Sequence, residues 1–214
     1  MKVLKLKYFC KRCDARCCKD LISEHAVLGI KTGVLLMPHE AKFFEMLGQE
    51  VLPLDGFGYN EEVRVIVTFQ IPDKVCPFLR NNKCSIYFFR PWSCRAYPIT
   101  MPAIVTPSIC TENGIYCLQT QARALLSFDE RCPFSHYLVK QYPYGEEITE
   151  ALARKHGFRE ERKYAWKIAD HLVHYARIYR QGFRYDLETN EWFKIYDVDD
   201  PVYYKMTPYH FIRV

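Results

Sequence analysis

The sequence predicts an α+β fold, with a small cysteine-rich module of few strands followed by appended C-terminal helices and a hairpin. All ten cysteines lie before residue 135, and the remaining residues contain none. An apolar run at residues 63–71 has the period of a β-strand, whereas residues 159–181 have the spacing of an amphipathic helix. This change in composition divides the chain into a cysteine-cluster domain at 1–135 and a helical extension with a terminal β-hairpin at 146–214.

The first part contains three predicted elements. Residues 38–47 form a helix, because Pro38 suits its first turn and Gly48 its end. Residues 63–71 form one strand that presents alternate apolar side chains on one face. Residues 115–126 carry apolar side chains at helical spacing and predict a second helix.

The second part begins after a predicted turn at residues 142–145. Residues 146–156 predict a helix that ends at Gly157, and residues 159–181 predict a longer helix that ends at Gly182. Side chains three or four positions apart form an apolar stripe on the longer helix: Ala165, Ile168, Ala169, Leu172, Tyr175, Ala176 and Tyr179. The segment that follows predicts a hairpin about Thr189 and Asn190.

The run CKRCDARCC brings four cysteines within nine residues, namely Cys10, Cys13, Cys17 and Cys18. Four more thiols follow at separate points of the chain, namely Cys76, Cys84, Cys94 and Cys110. Thiolates bind zinc and the irons of iron–sulfur clusters, so this density predicts a metal site. Adjacent residues of an extended backbone point in different directions, so we expect Cys17 and Cys18 to have different roles.

A disulfide framework is one alternative for these cysteines, and burial as small apolar side chains is another. The N-terminus has no apolar run of signal-peptide length, and no stretch reaches the length of a membrane span. We therefore expect a cytoplasmic protein without a membrane segment and with reduced thiols. Simple burial suits Cys117 or Cys132, but it does not suit four thiols in nine residues.

The formal charge of +5 is weak support for a nucleic-acid partner, because metal-bound thiolates would cancel much of it. Residues 1–20 hold seven Lys and Arg against two Asp, and cations beside a thiol cluster lower its pKa values. We therefore expect a metal ion or cluster as the partner rather than nucleic acid. A protein partner stays open.

The order of the cysteine blocks resembles the YkgJ-like cysteine-cluster family. The similarity covers roughly residues 8–117 and includes CKRCDARCC, CPFL, CSIY and RPWSCRAYP. Members of that family are described as zinc- or iron-chelating, and older descriptions call them Fe–S-cluster-containing proteins. The resemblance implies eight metal ligands: Cys10, Cys13, Cys17, Cys18, Cys76, Cys84, Cys94 and Cys110. Cys117 and Cys132 have no clear counterpart in it.

Eight thiols equal two four-coordinate sites, or one four-cysteine cluster with further thiols beside it. The spacing does not separate zinc from an iron–sulfur cluster, of which 4Fe-4S is the expected type. Arg90 and Arg95 flank Cys94, where a guanidinium can donate hydrogen bonds to sulfur.

Three functions are therefore considered. The first is a metal-binding protein in metal or cluster handling or in redox chemistry. The second is a protein-modifying enzyme, because flagellin lysine N-methylases look like relatives of the family. The third is a structural zinc module that presents a partner-binding surface.

Overall fold

The computed structural model describes residues 14–24, 29–60, 62–105, 108–110, 117–119, 123–129, 131–133, 154–155 and 157–197, with the backbone alone at 101–105, 108–110, 117–119, 123–127 and 196. Short helices alternate with antiparallel strands, which confirms the α+β class. The helices are α1 (Arg16–Lys19), α2 (Pro38–Met46), α3 (Trp92–Ala96) and α4 (Arg159–Ile178), with a 3-10 turn at Tyr87–Phe89. Within the described part of the chain, no helix has the length and apolarity needed to cross a membrane.

The strands are short and pair in an antiparallel sense. In chain order they are β1 (Ser23–Glu24), β2 (Lys31–Thr32), β3 (Val34–Leu36), β4 (Leu52–Pro53), β5 (Asp55–Gly58), β6 (Arg64–Ile66), β7 (Phe69–Ile71), β8 (Leu79–Arg80), β9 (Lys83–Cys84), β10 (Ile99–Val105), β11 (Ser108–Cys110), β12 (Cys117–Gln119), β13 (Arg123–Phe128), β14 (Gln181–Tyr185) and β15 (Trp192–Asp197).

The largest sheet joins distant parts of the sequence in the order β15-β14-β5-β6. Strands β14 and β15 form the predicted C-terminal hairpin, with Asn190 at φ 59° in the turn. Strand β14 also pairs with β5, so that Phe183 lies opposite Gly56. A second sheet has the order β3-β7-β4, and the other strands form two-stranded pairs.

Helix α2 confirms the prediction for residues 38–47 within one position. Pro38 opens it, and Glu40 accepts a hydrogen bond from the Met37 N–H at 2.9 Å, which satisfies a free donor of the first turn. Gly48, at φ +76°, follows its end. The helix packs its buried face into a small core made of Leu36, Ala41, Phe44 and Ile71.

Helix α4 confirms the predicted apolar stripe and covers the main core. Its buried positions are Ala165, Ile168, Ala169, Leu172, Val173 and Ala176. These residues pack with Ala96 of α3, Ile99 of β10 and Phe57 of β5, so the helix lies over the segment that carries Cys94. The predicted end at residue 181 is wrong: the helix stops at Ile178, because Gln181 already pairs with Gly58 as part of β14.

Two strand predictions need correction. Residues 63–71 form two strands in different sheets, because the Val67 N–H donates to the Asp55 carbonyl at 2.9 Å, and the Thr68 hydroxyl donates to the Asp55 carboxylate at 2.6 Å. Residues 115–126 do not form a helix, since β12 and part of β13 lie there. The apolar residues of β13 have helical spacing, but the strand pairs with β10, because tertiary contacts override a weak local helix propensity.

The predicted turn at 142–145 and nearly all of the helix predicted at 146–156 lie outside the described residues. The division into domains at 1–135 and 146–214 therefore stays a prediction. Within the described part, α4 and β14 share a core and a sheet with elements that precede residue 100.

Candidate metal centre

The adjacent thiols Cys17 and Cys18 are held side by side on helix α1. The helix begins after Ala15, whose positive φ of 51° turns the chain sharply. The Sγ atoms of Cys17 and Cys18 are 4.0 Å apart. The expectation of an extended backbone with diverging side chains is therefore wrong at this position, because the local backbone is helical and both sulfurs lie on the same side.

Cys76 lies directly beside this pair. Its N–H donates to the Cys18 carbonyl at 2.7 Å, and the Leu21 N–H donates to the Lys74 carbonyl at 2.8 Å, so the two segments run alongside each other. The Cys18 thiol lies 4.0 Å from the Cys17 thiol, and it interacts electrostatically with the thiol of Cys76. Three cysteines from two separate parts of the sequence thereby form a row.

Cys84 is carried by the hairpin of β8 and β9. Asn81 and Asn82 have φ values of 50° and 57°, the left-handed pair that two-residue type I′ hairpin turns require. Leu79 lies opposite Cys84 in the hairpin, and the Leu79 N–H donates to the Cys76 carbonyl at 3.0 Å. The hairpin therefore fixes Cys84 next to the turn that carries Cys76.

Cys94 lies on helix α3, which is held by hydrogen bonds at the two residues that precede Cys94. The Trp92 N–H donates to Glu40 at 2.8 Å, and the Ser93 hydroxyl donates to the Leu35 carbonyl at 2.7 Å. Burial first, and then the charges of Cys76, Cys17 and Cys84, raise the pKa of Cys94 to about 12. Cys94 therefore belongs to the same group of thiols, in its most shielded position.

The electrostatics of the row favour proton sharing. The hydrogen bond from Cys18 lowers the pKa of Cys17 to about 7, and the charge of Arg90 contributes. A hydrogen bond from Cys18 also lowers the pKa of Cys76 to about 7, with support from the N–H groups of Phe78 and Leu79. The neighbouring thiols of Cys17 and Cys76, and then burial, raise the pKa of Cys18, and burial raises the pKa of Cys84.

The two arginines that flank Cys94 have different positions. The Arg90 guanidinium stacks 3.8 Å from the centre of the Tyr87 ring. Its charge contributes to the lowered pKa of Cys17 and opposes part of the rise in the pKa of Cys84 and Cys94 that burial causes. Arg95 instead donates to the Tyr164 hydroxyl at 2.7 Å and to the Arg90 carbonyl at 3.0 Å. Arg90 thus belongs to the site, whereas Arg95 links α3 to α4.

Sequence reasoning missed Arg131, which fastens the chain just after the cysteine helix. Its guanidinium binds Asp129 at 2.6 Å and donates to the carbonyls of Asp20 and Ile22 at 3.1 and 3.3 Å. Tyr97 lies nearby, and its buried hydroxyl has no hydrogen-bond partner among the described residues. Burial first, and then the charges of Asp129, Cys132 and Cys17, raise the pKa of Tyr97. The Cys-Pro-Phe at residues 132–134, which repeats the Cys-Pro-Phe at residues 76–78, was the available signal for this region.

The structure brings together the following predicted ligands: Cys17, Cys18, Cys76, Cys84 and Cys94. Cys10 and Cys13 lie outside the described residues, and Cys110 is described by its backbone alone, in β11. Among the residues whose side chains are described, no group of three or more His, Cys, Asp or Glu side chains is arranged to bind a metal ion. Cys132 is 8% exposed and lies in the main core, where it packs as a small apolar side chain.

A family model described as "Putative zinc- or iron-chelating domain" (CxxCxxCC) matches residues 9–133, more than half of the chain. The chain belongs to this family. The YkgJ-like resemblance is thereby confirmed, since this domain defines that family. The matched range spans all eight predicted ligands, and it also contains Cys117 and Cys132. No curated protein and no solved structure matches the chain.

Proposed function

We propose that the protein binds zinc or an iron–sulfur cluster through its clustered cysteines, and that it acts in metal or cluster handling or in redox chemistry. The proposed ligands are Cys10, Cys13, Cys17, Cys18, Cys76, Cys84, Cys94 and Cys110. The observation that carries the proposal is the row Cys17, Cys18 and Cys76: the first two sulfurs lie 4.0 Å apart, and the Cys76 N–H donates to the Cys18 carbonyl at 2.7 Å. Membership of a family described as zinc- or iron-chelating supports metal binding in general.

The donor set fits a thiophilic metal. Two thiolates on one tetrahedral zinc, each about 2.3 Å from it, lie about 3.8 Å apart. The Cys17 and Cys18 sulfurs, at 4.0 Å, are close to that separation. A bound metal would supply the positive charge that lets neighbouring thiolates share one site, and binding would release the proton that Cys18 holds between its neighbours.

The protein's own groups would assist in two ways. Cys17 and Cys76 are partly ionised at neutral pH, so two ligands need little further deprotonation. Arg90 supplies a positive charge beside Cys17 and Cys84, which offsets the negative charge of a thiolate-rich centre. Cys10, Cys13 and Cys110 would complete the coordination of one site or two.

The exposure of the thiols supports handling or redox chemistry over a sealed structural site. Cys17 is exposed, and Cys18, Cys76, Cys84 and Cys94 are partly exposed. Structural zinc sites are closed, whereas sites that act on a substrate keep an open position. An accessible edge at Cys17 would allow transfer of a metal or an electron.

A structural zinc module is the second candidate, and one observation favours it. Tyr87, Phe88 and Phe89 are 55%, 82% and 67% exposed, and they lie between Cys84 and Cys94 in the sequence. A metal that fixes both cysteines would also fix this aromatic segment, which is the type of surface that protein interfaces use.

Anaerobic purification followed by metal and acid-labile sulfide analysis tests both candidates. Iron with stoichiometric sulfide and visible charge-transfer absorption would establish a cluster and exclude structural zinc. Zinc that resists exchange with a chromophoric chelator would favour the structural module. A protein that holds neither metal, even after anaerobic reconstitution with zinc or with iron and sulfide, would contradict the proposal.

A further inference from the structure

Cys110 and Cys117 are direct partners in a strand pair. Strand β11 ends at Cys110, and β12 begins at Cys117. The two strands are antiparallel, and their register places Ser108 opposite Gln119, Ile109 opposite Leu118 and Cys110 opposite Cys117. This pairing brings together one cysteine with a family counterpart and one without.

The register has a geometric consequence. Directly opposed residues of an antiparallel pair lie on the same face, with Cα atoms about 4.5–5.5 Å apart. Disulfides join cysteines whose Cα atoms lie about 4.4–6.8 Å apart. Cys110 and Cys117 therefore satisfy the distance requirement for a disulfide at either type of opposed position.

We propose that Cys110 and Cys117 are a dithiol that small-molecule disulfides, such as oxidised glutathione, convert reversibly into an intramolecular disulfide. This is a modification site beyond the proposed metal-binding function. The segment between the two cysteines is short and contains Asn113-Gly114, residue types typical of tight turns. Opposition in the strand pair gives the second thiol a high effective concentration beside the first.

The reaction proceeds by two exchange steps. One cysteine thiolate attacks a sulfur of oxidised glutathione, the sulfur–sulfur bond of glutathione breaks, and one glutathione thiolate leaves. The opposed cysteine thiolate then attacks the protein sulfur of the mixed disulfide and expels the second glutathione. The two protein thiols lose two electrons and two protons, and oxidised glutathione gains both to become two reduced glutathiones.

Oxidation would also remove the Cys110 thiolate from the proposed ligand set. This link to metal content rests on the proposed function, whereas the disulfide itself does not. In this proposal Cys117 is not a metal ligand. Its thiol competes with the metal for the sulfur of Cys110.

Peptide mapping of the full-length protein tests the proposal. Metal-free protein is incubated with oxidised glutathione, blocked with N-ethylmaleimide and cleaved after Lys, Arg and Glu. Cleavage after Arg95, Glu112 and Arg123 separates residues 96–112, whose one cysteine is Cys110, from residues 113–123, whose one cysteine is Cys117. We expect these two peptides to appear linked, and to separate with free thiols after reduction.

Two variants provide controls. Cys117→Ser should lose the linked peptide and leave Cys110 as a mixed disulfide with glutathione. Cys132→Ser, at a buried core position, should retain the linked peptide. Full alkylation of both cysteines in the oxidised wild type, or linkage of Cys110 to another cysteine, would overturn the proposal.

A parallel sample loaded with zinc separates the two proposals. If Cys110 is a ligand, zinc should slow formation of the linked peptide by at least severalfold. A linked peptide that forms at the same rate with and without zinc would support the disulfide and would count against Cys110 as a ligand.

Discussion

The Glu40 carboxylate accepts a hydrogen bond from the Trp92 N–H at 2.8 Å and another from the Met37 N–H at 2.9 Å. One buried side chain therefore joins the start of helix α2 to the helix that carries Cys94. Burial raises the pKa of Glu40 above the ordinary value of a glutamate. Ionisation of this carboxyl therefore destabilises the folded protein as the pH rises above that ordinary value. The two hydrogen bonds offset part of that cost.

Glu40→Gln should destabilise the protein by about 1–3 kcal/mol, because an amide replaces one of the two acceptors with a donor that faces an N–H. Denaturant unfolding of the metal-free protein measures this. Glu45→Gln, at an exposed position of the same helix, is the matched control and should change the free energy of unfolding little. Equal effects of the two variants would show that the bridge to α3 contributes nothing.

Cys84→Ser should lose bound metal, because a hydroxyl is a poor replacement for a thiolate as a ligand of zinc or iron. Loss of metal should also lower the melting temperature, since ligation free energy contributes to folding. Cys132→Ser is the control: it changes a buried cysteine of the main core and should keep its metal content. A fall in metal-to-protein ratio that is the same in both variants would contradict the assigned ligand set.

Alkylation of the metal-free protein should reach half its maximal rate near pH 7 at Cys17 and Cys76, whose pKa values are both lowered to about 7. Thiolate is the reactive form, so the rate should fall as the pH drops below 7 and level off above it. Cys94, with its pKa raised to about 12, should stay unreactive across this range. Fragment ions from tandem mass spectrometry of tryptic peptides measure each position, because Cys17 shares a peptide with Cys18 and Cys94 shares one with Cys84. Midpoints near the ordinary thiol value for Cys17 and Cys76 would show that Cys18 does not share its proton.

Arg90→Gln should move the alkylation midpoint of Cys17 to higher pH by about one unit or less, because the guanidinium acts at a distance rather than in direct contact. The Cys18 hydrogen bond is the larger cause of the lowered pKa and would persist in this variant. Arg80→Gln is the control for a general effect of removing a positive charge. Arg80 is exposed, and its guanidinium donates to the carbonyl of the preceding residue, Leu79. Identical shifts in the two variants would remove Arg90 from the site.

Arg184→Leu should destabilise the fold by about 3–5 kcal/mol, because it leaves a buried carboxylate without its cation. Arg184 of β14 binds the Asp55 carboxylate of β5 at 2.9 Å, and Asp55 is 1% exposed. Glu188→Gln breaks an exposed ion pair with Lys31 and serves as the control, with a change within experimental scatter. An Arg184→Leu protein as stable as the wild type would mean that the C-terminal hairpin adds little to the N-terminal sheet.

The elements that sequence reasoning predicted correctly carry local signals. Helix α2 has Pro38 at its first position and Gly48 after its end, and helix α4 has a complete apolar stripe. The segment at 63–71 has an equally clear strand pattern, yet the Thr68–Asp55 hydrogen bonds divide it between two sheets. A contact with a residue that is distant in the sequence leaves no trace in the local pattern.

The grouping of the thiols was predictable in part. The density of cysteines and their order predicted one or two metal sites, and the assignment of the ligands stays a prediction. Among the described side chains, Cys17, Cys18, Cys76, Cys84 and Cys94 influence one another's charge. The helical turn that aligns the Cys17 and Cys18 sulfurs depends on the left-handed Ala15, a residue type that rarely adopts this conformation. The role of Arg131 depends on the path of the chain after α1, which spacing alone does not give.

The pairing of Gly58 with Gln181 has a consequence for synthesis of the chain. The ribosome synthesises the chain from its N-terminus, so Cys17 through Cys94 are translated before β14 can complete the sheet. During that interval the thiols would lie in a chain whose largest sheet is incomplete. Metal that binds them before the hairpin docks would meet a different fold from metal that binds afterwards, so the order of the two events would affect the yield of metal-loaded protein.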